Sequence, residues 1–259
     1  AVVKKNNFDG IDIDFEAKKH ETINYFSTFL KGLDMRMGNK LIYCAIESRM
    51  PLEDRYLPGD VIPPDAQDYA NDYVALNKYC DRVEIMAYDQ GTVNKRLNRA
   101  REAPYAPVSD PAWTENIVNL AAKTISKKKI VLGIPTYGYE YKVTPGTISG
   151  FKYQRLWAFN PMYALDIALK LGITPVRTSA GETGFTYDAK ILEPAPAADT
   201  TIVQQTTQAT TTVAQNSGSV VSITQPFNYM TWSDAQAIAG KVALARKLGL
   251  RGVAVFKFD

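Results

Sequence analysis

The 259-residue sequence predicts an α/β fold built on a parallel sheet. Short β-branched runs alternate with longer stretches whose apolar residues recur every three or four positions, the pattern of βα units. One connection, from Tyr139 to Thr231, far exceeds the roughly 2 to 6 residues of a βα loop and marks an inserted subdomain. The five strands legible outside that connection are too few to close an eight-stranded barrel, and the chain stops on the last of them. It therefore reads as part of a larger domain.

The expected strands are Phe8 to Phe15, Leu41 to Ile46, Val83 to Tyr88, Ile130 to Ile134 and Gly252 to Phe258. The expected helices between them are Thr22 to Met35, Ala66 to Tyr79, Thr114 to Ile125 and Asp234 to Leu248, the last two capped by Thr114 and Ser233. This divides the chain into a barrel part at 1–139, an insertion at 140–230 and a second barrel part at 231–259. Within the insertion, a helix is expected near Pro161 to Leu171 and strands near Thr174 to Val176 and Phe185 to Tyr187, with a further strand at Val220 to Thr224. The Thr-, Gln- and Ala-rich stretch from Ala195 to Ser219 reads as a linker between two strands. No repeat of solenoid period is present.

Composition narrows the chemistry. Thirty Lys and Arg balance 27 Asp and Glu, and the one short basic run, Lys127 to Lys129, lies between a helix and a strand, so no nucleic-acid footprint is expected. No run of about 18 apolar residues exists to form a membrane span. The single histidine, His20, reads as a helix surface residue and argues against a His-rich zinc site or a Ser-His-Asp triad. No metal or cofactor is expected. Cys44 and Cys80 are too few for a disulfide-built scaffold and read as buried free thiols. The chain begins on Ala1, so it reads as processed or truncated. Hydrolytic chemistry would have to rest on carboxylates.

The most informative stretch is Phe8-Asp9-Gly10-Ile11-Asp12-Ile13-Asp14-Phe15-Glu16. Alternate side chains of a strand share a face, so Asp12, Asp14 and Glu16 point one way and Ile11, Ile13 and Phe15 the other. Successive acids lie about 6.5 to 7 Å apart by strand rise, close enough for their protonation to be coupled in a poorly hydrated site. Selection for stability alone would fill a buried row with Val or Leu, because an unpaired buried carboxylate costs several kcal/mol. The alternative is an edge strand with a solvated acidic face, which the strict apolar alternation disfavours. At the C-terminal end of a barrel strand Glu16 would sit at the mouth and Asp12 deepest, with repulsion from Asp14 favouring a protonated Glu16 that can donate. Asp9 has the opposite parity from Asp12 and is assigned structural work.

The segment Asp9-Gly-Ile-Asp12-Ile-Asp14-Phe-Glu16 resembles the Asp-x-x-Asp-x-Asp-x-Glu signature on the fourth barrel strand of glycoside hydrolase family 18, the chitinase family. Three further segments fit in order: Met86-Ala-Tyr88-Asp89 resembles the family's sixth-strand motif, Gly133-Ile-Pro-Thr-Tyr137-Gly138 its seventh and Gly252-Val-Ala-Val-Phe256 its eighth. The resemblance implies a partial (β/α)8 TIM barrel, strands four to eight, with a small α+β insertion between strands seven and eight. It also implies retaining, substrate-assisted hydrolysis of β-1,4-linked N-acetylglucosamine polymers, chitin or the glycan of peptidoglycan, by a secreted or cell-surface protein.

By the same resemblance Glu16 protonates the glycosidic oxygen while the substrate's acetamide attacks the anomeric carbon. Asp14 orients that acetamide, Asp12 holds Asp14 and shares its proton, and Tyr88 donates to the acetamide oxygen. Met86, Asp89, Tyr137 and Phe256 line the sugar subsite. The sequence departs from the family in two respects: Phe256 stands where a Trp platform is usual, and the third-strand Ser-x-Gly-Gly segment is absent along with strands one to three. The Tyr137-Gly-Tyr139-Glu-Tyr run looks slightly more like the wall-lytic branch of the family.

Other readings of these residues remain open at this stage. Tyr88, Tyr137 and Phe256 taken alone could be core aromatics, and Trp113, Trp157 and Trp232 could be sugar platforms or packing. Glu47 could act as a second catalytic carboxylate, though a salt bridge or cleft hydrogen bond suits it better. A catalytically silent carbohydrate-binding module on the same barrel is the alternative function, which the presence of Glu16 disfavours. A magnesium-dependent phosphotransferase using Asp12 and Asp14 lacks a Gly-rich phosphate loop.

Overall fold

The computed structural model describes residues 2–56, 58–90, 104–146, 150–188 and 225–257. Five strands, β1 (Gly10–Asp14), β2 (Leu41–Glu47), β3 (Arg82–Met86), β4 (Ile130–Pro135) and β10 (Gly252–Phe256), form one parallel sheet in the order β1-β2-β3-β4-β10. Strand parity sorts its two faces. Ile13, Ile42, Cys44, Ile46, Val83, Ile85, Ile130, Leu132 and Ile134 are buried on the outer face against the helices α2 (Ile23–Met37), α4 (Tyr73–Tyr79), α5 (Pro111–Ala121) and α7 (Ala235–Leu248). The other face carries Asp12, Asp14, Ala45, Glu47, Glu84, Met86, Gly133 and Phe256, a mixture of acids, small residues and aromatics that could not form an apolar core.

Close strand packing explains Gly10. A Cβ there would stand 2.4 Å from the carbonyl oxygen of Leu41, so the parallel register that sets Asp12 and Asp14 on one face requires glycine. Two short helices, α1 (Val2–Lys5) and α3 (Leu52–Arg55), complete this half.

Between β4 and β10 the chain builds a second, antiparallel sheet in the order β6-β5-β9-β8-β7: β5 (Gly138–Pro145), β6 (Phe151–Phe159), β7 (Val176–Arg177), β8 (Thr183–Tyr187) and β9 (Phe227–Trp232). Helix α6 (Pro161–Leu171) packs its Ala164, Ile167 and Ala168 against Phe159, Phe185, Met230 and Trp232. Buried Glu182 joins the two halves: it accepts the backbone N–H groups of Val108 and Ser109 at 3.0 and 2.8 Å and the Thr231 hydroxyl at 3.0 Å. Burial raises its pKa above the ordinary carboxylate value. Glu140 plays a similar part within the second sheet, accepting from Trp157, Tyr187 and Asn228.

Several expectations need correction. Cys44 and Cys80 are joined as a disulfide with Cα atoms 6.2 Å apart, tying β2 to the end of α4. The helix expected from Ala66 begins at Tyr73, because the Asp72 side chain accepts the N–H of Val74 and starts it there. Helix α5 begins before Thr114: Asp110 caps it through Ala112, and buried Thr114 instead lies 3.1 Å from the Ser109 hydroxyl. Helix α7 is capped by Asp234, which accepts the N–H of Ala237 at 3.0 Å and pairs bidentately with Arg177, rather than by Ser233. His20 sits in a short 3-10 turn ahead of α2. The expected strand at Val220 to Thr224 and the linker from Ala195 to Ser219 lie outside the described residues.

Candidate active site

All eight residues singled out as catalytic or sugar-lining come from the C-terminal ends of the parallel strands or the turns that follow. Asp12 and Asp14 lie within β1, whose last residue is Asp14; Glu16 follows in the turn, and Tyr88 likewise lies two residues past the end of β3. The sequence pattern places these acids on a buried face, and the structure corrects that. Asp12, Asp14 and Glu16 are exposed, because β1 is an outer strand and, among the described residues, nothing stands opposite it. Partial desolvation, with the Asp14 charge adding to it, still raises the pKa of Asp12 above the usual carboxylate value.

The parallel register places the remaining groups. Asp14 pairs with Ala45 on β2, and Ala45 pairs with Glu84 on β3, so the three share one row across the sheet with only a methyl side chain between the two acids. Desolvation raises the pKa of Glu84, and the charges of Asp12 and Asp14 raise it further. Sequence reasoning missed Glu84 as a site residue, because a single acid in the run Arg82-Val-Glu-Ile-Met86 carries no motif. Its parity with Met86 and Tyr88 was the available signal.

Aromatic rings wall the other side. Tyr88 stacks on Phe256 with ring centres 5.5 Å apart and an interplanar angle of 15°, and Tyr137 meets both rings edge-on at 6.2 and 6.1 Å. Phe256 is 47% exposed and presents an open apolar surface, whereas Tyr137 is buried. The Tyr88 ring owes its place to Gly133: a Cβ there would come within 3.0 Å of Tyr88 Cε1 and 2.7 Å of the Ile85 carbonyl oxygen. Asp89, in a left-handed backbone conformation at φ 61°, accepts hydrogen bonds from the hydroxyls of Tyr137 and Tyr139. Tyr139 was absent from the expected site.

Burial foremost, then nearby carboxylates led by Glu84, pushes the pKa of Tyr88 far above that of free tyrosine. Burial and the hydrogen bond to Asp89 do the same for Tyr137, and they push Tyr139 up to about 12. All three hydroxyls are therefore neutral donors at any ordinary pH. Beside them a cleft of about 380 Å³, lined in part by Ser48, Met50, Tyr69, Tyr88 and Asp89, opens between the ends of β2 and β3. Of the three tryptophans, Trp113 and Trp232 are buried in packing and Trp157 is half exposed on β6, in the second sheet.

The face thus combines a row of carboxylates with neutral hydroxyl donors and an exposed ring, a set suited to a polar, ring-shaped substrate whose reaction needs proton donation and charge stabilisation. Comparison with known proteins agrees in kind. The model of the glycosyl hydrolases family 18 matches residues 1–259, and the chain belongs to that family. It is 26% identical over 148 residues to "Uncharacterized glycosylase YvbX" of Bacillus subtilis, covering 57% of this chain and 39% of that protein. It is 26% identical over 271 residues to "Probable chitinase 2" of Drosophila melanogaster, covering 99% of this chain and 48% of that protein. Its fold matches the spore cortex-lytic enzyme SleL of Bacillus megaterium with a TM-score of 0.62 at 20% identity, over 99% of this chain and 47% of that one. The chain thus spans half or less of the length of these three relatives.

Proposed function

We propose that the chain supplies the catalytic face of a glycosidase that cleaves β-1,4-linked N-acetylglucosamine polymers with retention of anomeric configuration, using the substrate's own acetamide as nucleophile. On this reading residues 1–139 and 231–259 form strands four to eight of a (β/α)8 barrel and 140–230 is its insertion. The observation that carries the proposal is the juxtaposition on one sheet face of Asp12, Asp14 and Glu16 with Tyr88 and the exposed ring of Phe256.

Each group has a task. Glu16 donates its proton to the glycosidic oxygen as the bond breaks, and the departing sugar carries that proton away. The acetamide oxygen closes on the anomeric carbon to give a cyclic oxazolinium ion. Asp14 accepts the acetamide N–H and balances the developing positive charge, while Asp12, whose raised pKa favours a retained proton, holds Asp14 in place. The Tyr88 hydroxyl donates to the acetamide oxygen and fixes its angle of attack. Met86, Asp89, Tyr137 and Phe256 shape the subsite around the reacting ring. Water, deprotonated by Glu16, then opens the ion from the face the leaving group vacated, which gives retention.

Chitin and the glycan strands of peptidoglycan both present the required acetamide. Relatives named as a chitinase and as a spore cortex-lytic enzyme support this substrate class. The Cys44–Cys80 disulfide suits a secreted or cell-surface location, where oxidised thiols persist. Replacing Glu16 by Gln in the whole protein tests the assignment. Turnover of N-acetylglucosamine oligomers should fall by at least about 10²- to 10⁴-fold with oligomer binding retained. Wild-type protein that binds oligomers without cleaving them would instead establish a carbohydrate-binding module.

A further inference from the structure

The turn that carries Glu16 is held by a residue outside the expected catalytic set. Ala17 adopts a left-handed conformation, φ 51°, which a residue with a Cβ rarely keeps unless its surroundings impose it. Its backbone N–H donates to Glu47 Oε1 at 2.8 Å. The other Glu47 oxygen, Oε2, accepts from Asn71 Nδ2 at 2.8 Å and lies 3.9 Å from Lys18 Nζ. The Lys18 ammonium in turn donates to the carbonyl of Phe15 and sits 4.7 Å from the centre of the Phe26 ring. Residues 15, 17 and 18 are therefore tied on both sides of Glu16, and the shared anchor is the carboxylate at the end of β2.

That anchor is itself braced. Arg49 donates to the Asn71 carbonyl, and its guanidinium lies between the rings of Tyr69 and Tyr73, 4.2 and 3.9 Å from their centres. Tyr73 begins α4, which the disulfide fastens to β2. The chain of contacts runs from a covalently secured helix, through Asn71 and Glu47, to the backbone that aims the proposed acid.

From these contacts we infer that Glu47 is a positioning residue: by accepting the Ala17 N–H it holds the left-handed turn that points Glu16 at the scissile bond. The inference rests on the proposed glycosidase reading and adds to it a requirement outside the acid row. A carboxylate already committed to a backbone N–H and an amide is poorly placed to act as a second catalytic acid or nucleophile. If the bond is lost, Ala17 relaxes towards negative φ and Glu16 swings with it, and a misplacement of about 1 Å can cost roughly 10²-fold in rate.

The test compares Glu47→Ala, Glu47→Gln and the double variant Glu47→Ala/Ala17→Gly with wild type in the whole protein, on a soluble N-acetylglucosamine oligomer. Glu47→Ala should lower kcat by about 10- to 100-fold with KM within about twofold of wild type. Glu47→Gln should recover most of that loss, because a side-chain oxygen can still accept the Ala17 N–H while Asn71, whose buried Oδ1 has no partner among the described residues, can turn to accept from the new amide. The double variant should recover part of it, because glycine holds positive φ without the bond. A folded Glu47→Ala protein with wild-type kcat overturns the inference while leaving the glycosidase reading intact. So does Glu47→Gln as inactive as Glu47→Ala, which would mark Glu47 as a catalytic carboxylate. Should Glu47→Ala fail to fold, Asn71→Ala carries the test: a several-fold lower kcat at constant KM supports the inference and an unchanged kcat overturns it. Absence of turnover in the wild type overturns the glycosidase reading and takes the inference with it.

Discussion

That Asp12 and Asp14 share one side of β1 was legible in the sequence, because a strand's period of two sets alternate positions on one face; Glu16 continues that spacing beyond the strand's end. Glu84 was not, since its partnership with Asp14 runs across β2 and depends on register, which a sequence discloses only after the sheet order is known. Glu84 also gives the clearest pH prediction. Its folded pKa is raised, as is that of Asp12, so the folded state holds these protons more tightly than the unfolded chain. The stabilisation this gives is fully present below the unfolded carboxylate value and is lost as pH rises through the raised folded values. In the whole protein, Glu84→Gln should therefore unfold at a higher temperature than wild type near neutral pH, and the difference should shrink as pH is lowered towards 4. A difference in melting temperature that does not change with pH would contradict this account of the acid row.

At the scale of elements, the strand and helix order was readable from alternating apolar periods, and most errors fell at helix starts. Thr114 and Ser233 are plausible caps by residue type, but Asp110 and Asp234 win because each accepts N–H groups at the first turn. Asp234 also gains Arg177, and that pairing holds its carboxyl well below the usual carboxylate range. The disulfide was misread because two cysteines 36 residues apart carry no spacing rule; only the packing of α4 on β2 brings them together. Closing a loop of that length corresponds to roughly 4 kcal/mol in the chain-entropy model, with measured cases usually about 2 to 4. In the whole protein, Cys44→Ser/Cys80→Ser should lower unfolding stability by about that amount in denaturant titration, and wild type treated with reductant should lose a similar amount. A loss below about 1 kcal/mol would show that the packing of α4 alone holds β2 in place.

For the whole molecule, the two faces of the parallel sheet differ in composition, as the proposed function requires. The outer face buries the apolar core under helices, while the inner face spends its positions on acids, small residues and rings. The contrast of apolar and polar faces on β1, and the α/β class with a parallel sheet, were legible; the openness of the acid face was not, because exposure depends on what stands opposite β1. Among the described residues, strands β1 and β10 each have a single neighbour in the sheet, so both present a backbone edge that can pair with another chain. A polypeptide of these 259 residues alone should bind a hydrophobic dye such as ANS and associate as its concentration rises. A monomer with a sharp, cooperative unfolding transition and no dye binding would contradict that expectation.

The central claim is that the acid row and the Tyr88 hydroxyl drive retaining cleavage through the substrate's own acetamide. Anomer-resolved proton NMR of N-acetylglucosamine oligomer hydrolysis by the whole protein tests it most directly, with Glu16→Gln run alongside. The account predicts that the β-anomer of the new reducing end appears first, and only with wild type. First appearance of the α-anomer would contradict it, because inversion requires a water attacking opposite the leaving group in place of the acetamide.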